Sequence, residues 1–302
     1  MLEARSNNFL SAFATVRNDS ALSWVDMSTG AVSVIRTSQA RLGAELARLA
    51  PSELVVSESS FRDFLHLEAD FGISLTELGR ASFDSQSGED RVKAVYSVKS
   101  LDAFGQFDRA EVAALGALLA YLDLTQKGKL PLLQNPRQET VSRNVQIDSA
   151  TRRNLELTHS MSGGRSGSLL SVIDLTQTAA GARLLERRVS SPSCDMGLVQ
   201  DRLDCVTAFE ADTALRNDVR EALRQVPDLE RALSRLSLER GGPRDLGAVR
   251  NGLAQAGLLA KRLGSVLDLP KQISDQKEDL VCLLYTSPSP RDLSTSRMPS
   301  SA

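Results

Sequence analysis

Asp26, in the stretch "WVDMSTG", is the acidic residue of the N-terminal half that is best placed for catalysis. An Asp at the end of a strand, followed by Ser-Thr-Gly, could hold a divalent metal ion or a phosphate at a sheet edge. Two-metal nucleases, however, need several carboxylates around ions about 4 Å apart. The neighbouring strands offer Ser, Ala and Val instead. Because Asp and Gly are ordinary turn residues, the stretch predicts a turn.

A glycine-rich stretch, "SMSGGRSGSLL" (residues 160–170), is the second candidate site. It resembles a phosphate-binding loop only in its glycine content. The stretch lacks the Gly-Lys-Ser/Thr ending of a P-loop and does not follow a predicted strand. We therefore interpret it as a connection between two helices.

A cluster of arginines forms the densest basic stretch of the chain. Its members are Arg231, Arg235, Arg240, Arg244 and Arg250. The first four are candidate contacts to DNA phosphates, since arginine supplies most of the attraction to a phosphate backbone. Three acidic residues, Glu230, Glu239 and Asp245, are interleaved, so a solvated or salt-bridged face is the favoured alternative. The same two interpretations hold for Arg152-Arg153 and for the trio Arg183, Arg187 and Arg188.

The metal-binding and redox residues form no recognisable site. His66 and His159 are far apart in sequence, and no two cysteines form a CxxC pair. A zinc cluster and a disulfide framework are both unsupported, which is typical of a protein in a reducing cytoplasm. We therefore predict no catalytic, cofactor-binding or metal-binding residue.

The overall composition is that of a soluble globular protein. The 302 residues are 41% hydrophobic and 25% charged, with a net charge of -2. A net charge so close to zero does not produce the positive electrostatic field that is typical of an autonomous nucleic-acid-binding domain. No apolar run approaches the roughly 20 residues of a membrane span, and the N-terminus has no signal sequence. We therefore expect a cytoplasmic protein with no membrane association.

The elements that would position these residues fall into two parts. Up to about Leu78, short segments such as "NNFLSAFATV", "ALSWVDMSTG" and "AVSVIR" predict an antiparallel meander. A helix in "SQARLGAELARLA", capped by Ser38, and a strand beginning near Glu53 follow. This arrangement predicts an α/β domain.

The rest of the chain, to about Leu267, predicts helices. The stretch "RAEVAALGALLAYLDLTQ" has an apolar stripe behind a capping Asp108. Four later helices each begin after an aspartate that can accept hydrogen bonds from the first helical turn. These aspartates are Asp148, Asp195, Asp212 and Asp228.

Residues 146–192, "QIDSATRRNLELTHSMSGGRSGSLLSVIDLTQTAAGARLLERRVSSP", closely resemble the core segment of the MutS family of bacterial DNA mismatch-repair proteins. The resemblance continues through residues 202–209 and 228–253. Residues 109–133 resemble the helix that opens the family's core, while "NNFLSAFA" and "WVDMSTG" resemble its connector domain. The resemblance thus covers the chain from about Ser6 to about Leu267.

The resemblance implies a fold that is α/β plus all-α. An RNase H-like connector domain (1–104) would be followed by a helical core, or lever, domain (105–281) that is truncated. In the family, this part relays between the mismatch-binding, clamp and ATPase domains. The whole protein would bind mismatched double-stranded DNA as a homodimer, use ATP and Mg²⁺, and dock a MutL-type partner on the connector.

The mismatch-reading domain, clamp and ATPase domain of the family have no counterpart in this sequence. No mismatch-contacting or ATP-contacting residue can therefore be assigned, and we expect no ATPase activity from this chain. We also expect an exposed apolar strip on the helical half, where the family's core packs against the absent parts.

The last residues, "CLLYTSPSPRDLSTSRMPSSA" (282–302), have a different texture, dominated by Ser, Thr and Pro. They resemble the translation of a transposon-based sequencing-library adapter. We therefore expect residues 282–302 to be a non-native tail that was read through from library DNA.

Two alternatives to a mismatch-repair fragment remain. One is an RNase H-like nuclease with a helical extension, for which Asp26 would be the catalytic acid. The other is a helical scaffold that is unrelated to repair.

Overall fold

The computed structural model describes residues 3–126, 130–266 and 268–285, with side chains described as far as Val281. The chain forms two compact units. The first comprises residues 1–195 and 230–245, and the second comprises residues 196–229 and 246–302. No helix among the described residues is long and apolar enough to cross a membrane.

A six-stranded mixed sheet organises the first unit. Its strands are β1 (Phe9–Val16), β2 (Asp19–Asp26), β3 (Val32–Thr37), β4 (Glu53–Ser57), β5 (Ser74–Leu78) and β6 (Arg137–Glu139), in the order β5-β4-β1-β2-β3-β6. Strands β1, β2 and β3 pair antiparallel, with Phe9 opposite Asp26 and Leu22 opposite Ile35. The other three pairings are parallel. The predicted meander is therefore confirmed, and the structure has the predicted α/β and helical parts.

Alternating side chains of the sheet build two apolar cores. On one face, Phe13 and Leu22 pack with residues of α1 (Gln39–Leu49), α2 (Phe61–Phe64) and α3 (His66–Phe71). On the other, Ala12 and Val25 pack with α4 (Ser85–Tyr96) and α5 (Arg109–Gln126). This two-sided burial follows from the period of two along a strand, which sends successive side chains to opposite faces.

Helix α1 lies where the sequence predicts it, and its Leu42, Leu46 and Leu49 are buried. The predicted cap is wrong in detail. Ser38 occupies the N-cap position, but its side chain makes no capping hydrogen bond. The Arg41 N–H instead donates to the Ser38 carbonyl at 2.9 Å. A backbone hydrogen bond therefore satisfies this N–H group of the first helical turn.

Helix α5 begins with the predicted Asp108 cap. The Glu111 N–H donates to the Asp108 carboxylate at 2.8 Å, and the Asp108 N–H donates to the Glu111 carboxylate at 2.9 Å. This reciprocal arrangement is a capping box. Burial raises the pKa of Glu111, against the lowering effect of a hydrogen bond from Gln138.

Helix α5 is predicted to open the helical core, and the position of that domain boundary stays a prediction. The helix packs on β1 and β2 in the first unit, and the Ser23 hydroxyl donates to its Ala114 carbonyl at 2.8 Å. Every residue from Ala110 to Leu119 is buried, because the sheet covers one side of the helix and α4 another. A helix with a single apolar stripe buries only one of its faces. Helix α5 has small and branched apolar residues around its axis, so it can pack against two surfaces.

The later part of the chain is helical, as predicted. The first unit holds α6 (Ser149–Asn154), α7 (Leu169–Ile173), α8 (Ala179–Ser190) and nearly all of α11 (Leu229–Ser237). The second unit holds α9 (Met196–Ala211), α10 (Thr213–Arg224), most of α12 (Pro243–Gly264) and α13 (Lys271–Tyr285).

Two of the four predicted aspartate caps are confirmed. The carboxylates of Asp148 and Asp212 accept the N–H groups of Thr151 and Leu215, at 2.8 and 2.9 Å. Asp195 and Asp228 each directly precede a helix, and their capping stays a prediction. Asp84 caps α4 as well, although no cap was predicted there.

Apolar side chains lie exposed on the helical part, in agreement with the expected strip. Helix α9 has no buried residue, and its exposed Met196, Leu203 and Val206 have the spacing of one helical face. Leu246 and Leu258 of α12 are exposed as well. The proposed non-native tail begins within α13, and its residues 286–302 lie outside the described residues.

The crossing of α4 and α5 yields a prediction about stability. A Cβ on Gly116 would lie 2.4 Å from the Gly88 Cα, so Gly116→Ala must force two backbones apart. We expect a loss of about 1–3 kcal/mol in the free energy of unfolding, as for an overpacked core. Urea unfolding followed by fluorescence measures it, because the single tryptophan, Trp24, is buried in the sheet.

Gly43→Ala is the matched control, since it also adds a Cβ to a helix on the sheet. The new Cβ would meet only the edge of the Phe71 ring, at 3.3 Å. We expect little change there. Equal effects of the two substitutions would show that α4 and α5 have room to separate.

Candidate functional site

Asp26 forms a tight turn at the end of β2. Its carboxylate accepts the Ser28 N–H at 2.8 Å and the Ser28 hydroxyl at 2.6 Å, while its carbonyl accepts the Gly30 N–H at 2.8 Å. Gly30 has a φ of +74°, and a Cβ there would lie 1.9 Å from the Leu132 carbonyl oxygen, so only glycine fits. The turn prediction is confirmed.

The described residues contain no group of three or more His, Cys, Asp or Glu side chains that could hold a metal ion. Asp26 is 2% exposed, and both hydrogen-bond donors of Ser28 contact its carboxylate. The arrangement therefore shows a structural role for this acid and gives the nuclease alternative no support.

The glycine-rich stretch connects α6 to α7, as predicted. Gly163, Gly164 and Gly167 all have positive φ angles, and the Ser160 N–H donates to the Gly164 carbonyl at 2.9 Å. Ser168 then caps α7 by accepting the Ser171 N–H at 3.2 Å. The positive φ angles explain the glycine content of the stretch, since other residues rarely adopt them.

The structure separates the four candidate phosphate contacts. Arg231 is only 8% exposed, and it donates to the carbonyls of Glu3 and Ser6 at 2.9 and 2.7 Å. Arg235 is half exposed and donates twice to Asp245, at 2.9 and 2.5 Å. Arg235 thus forms an ion pair of the kind that the favoured alternative describes, while Arg231 has a role that neither interpretation anticipated.

The other arginines of the stretch lie at the surface. Arg240 makes one long hydrogen bond, 3.4 Å, to the Gln126 side chain, and Arg244 is exposed. Arg250 is exposed in the second unit and contacts the Asn251 side chain. Phosphate contact by Arg235, Arg240 and Arg244 stays a prediction.

A charged cluster around Asp174 was not predicted from the sequence. Asp174, with a side chain 7% exposed, accepts from Arg5 at 2.8 Å and from Arg165 at 2.9 Å. The Thr176 hydroxyl donates to the same carboxylate at 2.6 Å. Burial would raise the pKa of Asp174, but the hydrogen bonds of Thr176 and Arg5 lower it to about 2.

Arg183 extends this cluster along α8. It is 2% exposed and donates to the Ala4 carbonyl at 3.0 Å and to Glu230 at 3.2 Å. No local pattern could have revealed the cluster, because its members come from the N-terminal segment and from residues 165–231. The only sequence signal is the number of arginines, which also fits an exposed basic face.

The low pKa of Asp174 predicts a loss of stability in acid. A carboxylate whose pKa is lower in the folded state stabilises the fold above its unfolded pKa, 3.8, and this contribution disappears as the pH falls toward 2. We expect Asp174→Asn to lower the free energy of unfolding by at most about 2 kcal/mol at pH 6. The difference from the unsubstituted chain should shrink between pH 4 and pH 2 in urea titrations. A difference that does not depend on pH would contradict this role.

Comparison with known proteins places these features in a family. The family described as MutS domain II matches residues 8–134, and the family described as MutS domain III matches residues 150–293. The DNA mismatch repair protein MutS of Roseobacter denitrificans is 55% identical over 280 residues, which are 93% of this chain and 32% of that protein.

Other relatives agree. The DNA mismatch repair protein MutS of Ruegeria pomeroyi is 56% identical over 281 residues, covering 93% of this chain and 32% of the relative. That of Dinoroseobacter shibae is 57% identical over 264 residues, covering 87% and 30%. The chain thus spans 30–32% of the length of these curated relatives. It belongs to the MutS family of bacterial DNA mismatch-repair proteins, over the family's domains II and III.

Proposed function

We propose that the chain is the connector and part of the core of a longer mismatch-repair protein. In that protein, recognition of mismatched double-stranded DNA would be coupled to ATP binding and hydrolysis, and this part would relay between the mismatch-binding, clamp and ATPase domains. The observation that carries the proposal is the order of the two domain matches, at residues 8–134 and 150–293.

The sheet supports the proposal that the connector is RNase H-like. Its order is β5-β4-β1-β2-β3, with β2 antiparallel to both neighbours and helices on both faces, and β6 adds a short edge. Domains were proposed to meet at residue 104, but α5 packs on this sheet, so we propose that the core begins after α5. We also propose that residues 282–302 are a non-native tail.

Rigid helices suit a relay. Helix α12 has 22 residues, which corresponds to a rod of about 33 Å. A helix moves as a body when one end is displaced, whereas a loop absorbs the displacement. The second unit, in which α9, α10 and α13 also lie, therefore has the elements that a lever needs.

We propose that ATP and Mg²⁺ bind outside the described residues. The glycine-rich stretch is an inter-helix connection, and the described residues hold no suitable acidic cluster, so they do not fit ATP or Mg²⁺. A MutL-type partner would dock on the connector, and the whole protein would be a cytoplasmic homodimer. Exposed Arg240 and Arg244 are the residues of this chain best placed to meet a phosphate backbone.

A chimera tests the proposal. Residues 8–281 would replace the matching segment of the Roseobacter denitrificans relative, and the chimera would be expressed in a strain that lacks its own mismatch-repair gene. We expect the mutation frequency to fall to that given by the unaltered relative. A soluble chimera that leaves the mutation frequency at the level of an empty vector would contradict the proposal.

The isolated chain should lack the activities of the whole protein. We expect equal dissociation constants for a G·T heteroduplex and its matched homoduplex, and no ATP hydrolysis above buffer. Binding that is several-fold tighter to the heteroduplex would contradict this. Mg²⁺-dependent cleavage that disappears in Asp26→Ala would instead favour the nuclease alternative.

A further inference from the structure

Two buried arginines hold the segment that precedes the sheet. Arg231 of α11 donates to the carbonyls of Glu3 and Ser6, and Arg183 of α8 donates to the carbonyl of Ala4. We call residues 3–6 the strap. Arg183 and Arg231 together are called the clamp, which is distinct from the clamp domain of the family. Both clamp arginines are more than nine-tenths buried. Three of the four carbonyls of the strap are therefore bound by side chains from two helices of the later sequence.

The strap has a second anchor in its own side chain. Arg5 donates to the Asp174 carboxylate at 2.8 Å and to the Thr176 hydroxyl at 2.7 Å. Arg165 holds the other oxygen of Asp174, at 2.9 Å. Burial raises the pKa of Glu186 on α8, and the backbone of Asn7, which follows the strap, acts in the opposite direction. The strap is thus fixed by its backbone and by its side chain.

These contacts depend on the path of the strap rather than on most of its side chains. A carbonyl acceptor is present at every residue, whereas the bidentate reach of Arg231 to residues 3 and 6 requires one backbone conformation. Withdrawing the strap would remove these acceptors from two buried guanidinium groups. Hydrogen bonds to charged groups are among the strong ones, so the position of the strap and the order of α8 and α11 must depend on each other.

We propose that the strap and the clamp form a direct mechanical tie between the chain before β1 and helices α8 and α11. This tie runs in parallel with the route through the sheet. Arg183 and Arg231 are then positioning residues and do not contact DNA phosphates. The tie itself is a property of this chain, while its use in a relay rests on the proposed function above.

Trypsin offers a direct test, because Arg5 lies within the strap. Loss of residues 1–5, followed by intact mass, reports release of the strap. We expect Arg183→Ala to raise the rate of this cleavage by about tenfold, the effect of losing one charge-assisted hydrogen bond. Arg231→Ala, which loses two such bonds, should raise the rate by at least as much. Arg231→Lys should give a cleavage rate between that of the unsubstituted chain and that of Arg231→Ala, since one ammonium group cannot span two carbonyls.

Arg235→Ala is the matched control for this cleavage. It removes an arginine one helical turn from Arg231, and that arginine contacts Asp245 rather than the strap. The control should leave the cleavage rate unchanged. Equal cleavage of the unsubstituted chain and both clamp variants would overturn the proposal.

Hydrogen exchange tests the reverse direction. In a chain that lacks residues 2–6, we expect amide exchange to rise about tenfold in α8 and α11 while the amides of β1, β2 and β3 keep their protection. Unchanged exchange in the two helices would overturn the proposal. Exchange that rises equally in the sheet would also overturn it, because the strap would then stabilise the fold in general.

These two measurements do not depend on the proposed function. A chimera that fails to lower the mutation frequency would leave a cleavage-protected strap intact. A strap that trypsin removes freely would leave the family assignment and its chimera test intact.

Discussion

The packing of α5 between the sheet and α4 is the contact on which the α/β unit depends. Its two sides need different fits: small residues let the α4 backbone approach Gly116, and branched ones fill the core against β1 and β2. The Asp108–Glu111 capping box fixes where the helix begins, so that these residues meet their proper neighbours. The turn at Asp26 follows β2 and the edge strand β6 pairs with β3, so the sheet fixes the positions of both.

Four arginines of the described residues serve three different physical roles, and only the fold distinguishes them. Arg231 and Arg183 bind backbone carbonyls in buried positions, Arg235 pairs with Asp245 at the surface, and Arg244 is exposed. The planar guanidinium group suits all three, because it has five donors and no acceptor. Basic composition is therefore a poor guide to nucleic-acid contact where a protein uses arginine to join distant segments.

Local chemistry could be predicted, and long-range placement could not. The meander, α1, the turn at Asp26 and the caps of α6 and α10 follow from strand period, helical spacing and side chains that bond nearby N–H groups. The parallel pairing of β3 with β6 joins Ser33 to Arg137, and the strap joins Glu3 to Arg231. Such contacts close long loops, so no window of sequence contains both partners. The family resemblance indicated the two domains, but the packing of α5 on the sheet could not be predicted from it, because motif order does not show which surface a helix covers.

The proposed relay through this chain would have two mechanical routes with different properties. The sheet route passes through β1, which is hydrogen-bonded on both sides and buried, so it yields only with the whole unit. The strap route consists of a few charge-assisted hydrogen bonds, which can break one at a time without opening an apolar core. A signal that must be reversible is better carried by the second kind of contact, because its free-energy cost is a small part of the stability of the fold. The ionic part of that route is the Asp174 carboxylate, which accepts hydrogen bonds from Arg5 and Thr176.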